Sequence, residues 1–94
     1  MKIVWSPRAI RRLVALRSRI ARDAEQNAAD VAGRILRAVD LLEKQPAMGR
    51  PGRAPGTREL IVLETPYVIP YRVKGERLEL IAVFHGRQKW PSRL

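Results

Sequence analysis

The first half of the chain repeats apolar residues with the period of an α-helix. Lys2–Trp5 is short and β-prone, so it predicts a first strand before the helical pattern begins. Ser6 followed by Pro7 is a common helix start, because the serine hydroxyl can cap the first turn and proline fits the first helical position. The helix that follows has one apolar side and one arginine-rich side. Its apolar positions are Ile10, Leu13, Val14, Ile20, Ala21 and Ala24.

A second helix is predicted over about residues 28–43, again from the helical spacing of apolar residues. Gln26 and Asn27 mark the break before it, and Asn27 is its expected N-cap. The apolar stripe of this helix consists of Val31, Ala32, Ile35, Val39 and Leu42. Because the joint between the two helices is short, they are expected to form an antiparallel helical hairpin.

Pro46 ends the second helix and begins a loop, residues 46–56, that contains three prolines and three glycines. After this loop the apolar period changes to two, which predicts β-strands. The predicted strands are residues 58–63, 67–73 and 77–84. Residues 74–76, Lys-Gly-Glu, have the length and the glycine of a hairpin turn.

Pro70 lies in the middle of the central predicted strand, where proline has no amide hydrogen to donate. We therefore expect that strand to be locally an edge or to carry a bulge at Pro70. The complete order β-α-α-β-β-β predicts one α+β domain spanning residues 1–94. In this fold the helical hairpin packs on one face of a small, twisted antiparallel sheet.

The charge balance points to an anionic partner. Nineteen basic residues against nine acidic ones give a net charge of +10, and fifteen of the nineteen are arginine. The guanidinium group binds carboxylates and phosphates through two parallel hydrogen bonds. The expected partners are therefore nucleic acid or an acidic protein, and the alternative is a generally basic surface without a specific partner.

Other features of the composition exclude several function classes. The chain has no cysteine and one histidine, so we expect no disulfide, no metal site and no cofactor. No apolar run approaches the ~20 residues of a membrane span, and the N-terminus does not resemble a signal peptide. The sequence therefore predicts a cytoplasmic protein with no membrane partner.

Several segments, taken in order, resemble the RelE/ParE superfamily of bacterial toxins. They are residues 5–9 (WSPRA), 48–52 (MGRPG), 58–60 (REL), 67–73 (YVIPYRV) and 83–88 (VFHGRQ). The resemblance covers nearly the whole chain and implies a growth-inhibiting toxin of a type II toxin–antitoxin system, the kind that also stabilises plasmids. In such a system an acidic antitoxin wraps the toxin. The target stays open, because some members cut messenger RNA on the ribosome and others poison DNA gyrase.

If the protein were a ribonuclease, His85 would act as the acid or base, since its ordinary pKa is near neutrality. The cations that hold the phosphate would be Arg58, Arg72 and Arg87. Trp90 or Tyr71 would stack on a base, although Tyr71 is expected to face the helices.

The chain departs from the RelE-type ribonucleases at positions where they carry lysine or arginine on the sheet. It has Val68, Glu59 and Ile61 there, and no counterpart of their C-terminal tyrosine. Most of that catalytic set is therefore missing, which makes it uncertain that the protein is an enzyme.

The run Val83-Phe84-His85 is similar to the end of the last strand in ParE-type toxins and favours gyrase inhibition by binding. The candidate contacts to the target or to nucleic acid are Arg50, Arg53, Arg87, Lys89 and Trp90. An mRNA endoribonuclease is the alternative, and a non-toxic basic nucleic-acid-binding domain is a further one.

The antitoxin is expected to be acidic and partly disordered, and to fold along the helical hairpin in a hetero-oligomer. The arginines expected to meet its carboxylates are Arg8, Arg12, Arg19, Arg22 and Arg34.

Overall fold

Two helices pack on one face of a mixed β-sheet in a computed structural model that describes residues 1–91 and 94. In chain order the elements are β1 (Lys2–Trp5), α1 (Pro7–Asp23), α2 (Glu25–Lys44), β2 (Arg50–Pro51), β3 (Arg58–Ile61), β4 (Tyr67–Lys74), β5 (Arg77–Leu80) and β6 (Phe84–His85). The predicted α+β class and the helical hairpin are confirmed. Within the described residues, neither helix has a stretch long and apolar enough to cross a membrane.

The strand order is β1-β5-β4-β3-β2, and β6 pairs with β4 beyond the end of β5. All pairs are antiparallel except β1 with β5, which is parallel. The expected antiparallel sheet is thus mixed at one edge. A parallel pair needs a long connection, and the hairpin with the strands after it provides one between β1 and β5.

The helix start was predicted correctly at Ser6, but the joint between the helices was not. Ser6 Oγ accepts a hydrogen bond from the Ala9 N–H at 3.0 Å and donates one to the Ile81 carbonyl at 2.8 Å. The expected break at Gln26 and Asn27 is wrong, because Ala24 takes the extended backbone conformation (φ −159°, ψ 109°) and α2 begins at Glu25. Alanine is a strong helix former, so the sequence carries no signal for this break.

A bulge does occur opposite Pro70. Residues 81–83 of the bulge lie across from Ile69 and Pro70 of β4, so one strand carries a single extra residue. The Ile81 N–H donates to the Pro70 carbonyl at 2.9 Å. The Pro70 nitrogen, which has no hydrogen to donate, faces the bulge, where the regular pairing is interrupted. The sheet therefore tolerates a proline at this position. The bulge also divides the predicted strand 77–84 into β5 and β6.

The main core lies between the hairpin and the sheet. Its fully buried side chains include Ile35, Leu42, Ile69, Tyr71, Leu78 and Leu80. A second, smaller cluster of Ile81, Ala82 and Phe84 is covered by Trp90 and Leu94. Phe84 pairs with Val68. The neighbours of Val68 in β4, Tyr67 and Ile69, belong to the core under the helices, so Val68 points to the other face of the sheet. The C-terminal segment therefore covers part of the sheet's other face, which we call the open face.

Candidate functional site

A buried carboxylate on the open face holds the loop of residues 46–56 against the sheet. Glu59 is 2% exposed. Its Oε1 accepts hydrogen bonds from Arg50 Nε at 3.0 Å and Nη2 at 2.8 Å, and its Oε2 accepts one from the Arg53 N–H at 2.8 Å. The two arginines remain about half exposed, with side-chain exposures of 47% and 51%. Glu59 thus positions two of the predicted target-binding arginines without burying them.

Trp90 connects this loop with the C-terminal segment. The Arg53 guanidinium carbon lies 3.7 Å from the centroid of the Trp90 ring, as in a cation–π contact. The Phe84 ring lies against the same indole with its centroid at 4.7 Å. Arg50, Arg53 and Trp90 therefore form one patch, which Lys89 adjoins in the chain. Because Arg53 and Phe84 already contact the indole, we interpret Trp90 as a packing residue rather than a platform for a base.

His85 is the last residue of β6 and begins a turn that is held by hydrogen bonds. Its Nδ1 accepts a hydrogen bond from the Arg87 N–H at 3.1 Å, and its own N–H donates to Gln88 Oε1 at 3.2 Å. The Tyr67 ring meets the imidazole edge-on at 5.7 Å. Since Nδ1 accepts, Nε2 is assigned as the N–H of the neutral ring.

A basic cleft lies beside His85, between α1 and this turn. His85 and Tyr67 line it together with Arg19, Arg87 and Gln88, and Arg12 adjoins it. This arrangement of guanidinium groups around an imidazole suits an anionic ligand. His85 and Arg87, two of the four residues predicted for catalysis, are therefore close together.

The other two predicted catalytic residues lie elsewhere. Arg58 Nη1 donates to the Gly49 carbonyl at 2.8 Å, on the helix side of the sheet. Arg72 lies on the open face, where its Nε is 3.4 Å from Glu79 Oε1. His85 pairs with Tyr67, and Arg72 is five residues further along β4, which corresponds to roughly 16 Å at the rise of a β-strand. The structure does not bring the four residues together.

Tyr71 is a structural residue that fixes the start of the loop. Its hydroxyl donates to the Pro46 carbonyl at 2.7 Å and accepts from the Gly49 N–H at 2.9 Å. Burial raises the pKa of Tyr71, while the Gly49 hydrogen bond and the charge of Arg58 act in the opposite direction. A Cβ at Gly49 would lie 2.6 Å from the tyrosine oxygen, so only glycine fits there. Tyr71 faces the helices, as predicted, and does not serve as a stacking platform.

Sequence reasoning missed the structural role of Glu59 and noted only that it stands where RelE-type ribonucleases carry a basic residue. The sequence did contain a sign of this role. Glu59 and Ile61 are two residues apart in a predicted strand, so the carboxylate lies on the same face as an apolar side chain. Among residues 1–91 and 94, no three histidine, aspartate or glutamate side chains converge as metal ligands would.

Four of the five predicted antitoxin-binding arginines form a stripe along α1. Arg8, Arg12, Arg19 and Arg22 fall within about a quarter of a turn of the helix, and all four are exposed. The fifth, Arg34, belongs to α2 and pairs with Glu64 at 2.6 Å. It lines a different groove, between α2 and β3.

Comparison with known proteins gives consistent matches along nearly the whole chain. A family model described as "ParE toxin of type II toxin-antitoxin system, parDE" matches residues 3–90. Y4kP of Sinorhizobium fredii, whose name classes it among toxins, is 45% identical over 93 residues, which are 99% of this chain and 96% of Y4kP. Toxin RelE2 of Caulobacter vibrioides is 34% identical over 85 residues, 90% of this chain and 94% of RelE2.

A solved structure shows the same fold. It is described as the chromosomal ParDE toxin–antitoxin system from P. aeruginosa and has a TM-score of 0.82 at 25% identity. The alignment covers 90% of this chain and 95% of the other.

Proposed function

The chain belongs to the ParE toxin family and is the toxin of a ParDE-type toxin–antitoxin system, and from this premise we propose that it arrests growth by binding DNA gyrase. In this proposal the protein performs no chemistry of its own. An antitoxin is its partner in such a system, and we propose that this antitoxin is acidic.

The separation of the groups that RNA cleavage would need carries the proposal. Attack by a 2′-hydroxyl requires a base, cations at the phosphate and an acid within hydrogen-bond reach of one another. Arg72 is roughly 16 Å from His85 along β4 and is paired with Glu79. Arg58 donates a hydrogen bond to the Gly49 carbonyl on the helix side of the sheet, the face opposite to that of Arg72. A protein with such dispersed groups is better suited to bind a target than to cleave RNA.

The patch formed by Arg50, Arg53, Lys89 and Trp90 is the proposed contact with gyrase or with the DNA it holds. Glu59 holds Arg50 and Arg53 in place while leaving their side chains half exposed. Less rotamer freedom is then lost when these side chains engage a partner, which favours binding. The net charge of +10 accelerates encounter with DNA or an acidic protein surface.

A ribosome-dependent mRNA endoribonuclease is the second candidate, and the basic cleft at His85 is the observation that favours it. In that case His85 would be the acid or base, and Arg19 and Arg87 would hold the phosphate. Toxicity would then depend on the His85 imidazole, whereas under the gyrase proposal it depends on the patch of Arg50, Arg53, Lys89 and Trp90.

Expression of the toxin without antitoxin in a bacterium tests the two candidates. The gyrase proposal predicts filamentous cells and an early DNA-damage response, with messenger RNA intact at ribosomes. It also predicts that His85→Ala stays toxic, and retained antitoxin binding serves as the control for folding. Early loss of protein synthesis with cleaved messenger RNA, abolished by His85→Ala, would replace gyrase by the ribosome as the target.

A further inference from the structure

Arg12 lies next to the buried ring of Phe84, although it belongs to the arginine stripe of α1. Its guanidinium carbon is 5.2 Å from the centroid of that ring, which is within the range of a cation–π contact. Phe84 is fully buried, and its pairing with Val68 fixes it in the sheet. Among the described residues, no other arginine of the stripe lies over an aromatic ring. Arg12 therefore differs from the rest of the stripe, because it contacts the smaller apolar cluster.

Two aromatic rings connect Arg12 with the proposed gyrase-binding patch. The Phe84 and Trp90 rings meet with their centroids 4.7 Å apart. The Arg53 guanidinium carbon in turn lies 3.7 Å from the centroid of the Trp90 ring. We call this series of contacts, from Arg12 through Phe84 and Trp90 to Arg53, the aromatic stack. It links α1 with the loop of residues 46–56 across the end of the sheet.

The direction of the Arg53 side chain depends on Trp90 more than on Glu59. Glu59 holds the backbone of Arg53, because its Oε2 accepts from the Arg53 N–H at 2.8 Å. The same oxygen is 3.6 Å from Arg53 Nε, which is too far for a hydrogen bond. Trp90 Nε1 is buried without a hydrogen-bond partner among the described residues, so ring contacts set the orientation of the indole. The stack is therefore what fixes the Arg53 guanidinium.

From these contacts we propose that Arg12 is a positioning residue of the gyrase-binding patch. It holds Phe84 against Trp90, and Trp90 in turn fixes the direction in which Arg53 presents its guanidinium. The attraction between a guanidinium and a ring is stronger where water is excluded, as it is at Phe84. Without Arg12 the indole moves more freely, and Arg53 loses more rotamer freedom when it engages a partner. The identity of the partner rests on the proposed function, whereas the stack does not.

Inhibition of gyrase supercoiling by purified toxin variants tests whether Arg12 acts through Arg53. We expect Arg12→Ala to raise the toxin concentration for half-inhibition about fivefold. Arg11→Ala removes the same charge from the neighbouring exposed position of α1 and should stay within about twofold of wild type. In a toxin that already carries Arg53→Ala, adding Arg12→Ala should raise this concentration by less than about twofold. Independent, additive losses would make Arg12 a direct contact of the target and would overturn the positioning role.

Fluorescence of Trp90 tests the stack without gyrase. Trp5→Phe leaves Trp90 as the only tryptophan of the chain, so its emission can be followed alone. In this background Arg12→Ala should increase quenching by acrylamide and shift the emission to longer wavelength, whereas Arg11→Ala should change neither. Equal quenching in the two variants would overturn the stack, whatever the target is. If wild-type toxin leaves supercoiling unchanged, gyrase is the wrong target, and the quenching experiment alone decides whether Arg12 positions Trp90.

Discussion

Glu59 shows how a single side chain organises the loop on the open face. Glutamine in its place keeps the shape of the side chain but removes the negative charge of the carboxylate, which accepts hydrogen bonds from the Arg50 guanidinium and the Arg53 N–H. Because Glu59 is 2% exposed while Arg50 is half exposed, we expect Glu59→Gln to lower the free energy of unfolding by about 2 kcal/mol. Urea denaturation measures the change.

The pair Arg72–Glu79 provides the matched control for Glu59. Both of its side chains are substantially exposed, at 31% and 41%. Glu79→Gln should therefore cost less than about 1 kcal/mol. A loss for Glu79→Gln as large as that for Glu59→Gln would contradict the role given to burial.

Tyr71 makes stability depend on pH at the alkaline end. Its pKa in the folded protein lies above the ordinary 10.0, chiefly because of burial. The unfolded chain therefore loses the phenolic proton first, so the stabilisation is complete below pH 10.0 and is lost as pH rises through the folded-state pKa. Denaturation at a series of alkaline pH values should show this decline in wild type and a smaller one in Tyr71→Phe.

Tyr71→Phe should also be less stable than wild type near neutral pH. The substitution leaves the Gly49 N–H and the Pro46 carbonyl without their partner, at a cost of about 1–3 kcal/mol. Unchanged stability at neutral pH would mean that water replaces the hydroxyl.

At the scale of elements, the two helix starts differ and so predict opposite effects of substitution. Ser6→Ala removes the cap of α1 and the hydrogen bond to the Ile81 carbonyl, which should cost about 1–2 kcal/mol. Ala24 caps α2 without any side-chain hydrogen bond. Ala24→Ser should therefore stabilise the protein by about 0.5–1 kcal/mol. Thermal unfolding of the two variants checks both signs, and a destabilised Ala24→Ser would contradict the capping assignment.

The sequence predicted the elements well where local chemistry specifies them. Ser6-Pro7 specifies the start of α1. Pro70 predicted a break in the strand pairing, and the structure has a bulge in the segment opposite Pro70. The break at Ala24 and the short β2 carry no local signal, because alanine favours helix and Arg50–Pro51 lies in a loop rich in proline and glycine. The parallel pairing of β1 with β5 depends on contacts between the two ends of the chain, which periodicity does not report.

At the scale of the whole molecule, we expect the net charge of +10 to set how fast the antitoxin binds. The arginine stripe on α1 is proposed to attract its carboxylates before the close contacts form. Arg12→Glu with Arg19→Glu should lower the association rate constant at low salt by roughly tenfold, with a smaller effect on dissociation. Stopped-flow mixing at several salt concentrations measures this. Association rates that equal those of wild type at low salt would rule out the steering role.

The superfamily resemblance found in the sequence is confirmed, and with it the toxin class. The candidate site was predicted less completely. The sequence grouped Arg58 and Arg72 with His85 because all three follow or lie on strands. It did not reveal that Arg58 and Arg72 lie on opposite faces of the sheet, which depends on register, or that Glu59 joins Arg50 to Arg53. The roles assigned to individual arginines, and the extent of the domain, remain predictions.

Binding of gyrase without chemistry is the central claim, and purified components test it most directly. The toxin is added to gyrase with relaxed plasmid, and in parallel to a translation reaction in which messenger RNA is followed by primer extension. Our proposal predicts loss of supercoiling with increasing toxin, reversal by the antitoxin, and intact messenger RNA. Normal supercoiling together with toxin-dependent cuts in messenger RNA on ribosomes would contradict it.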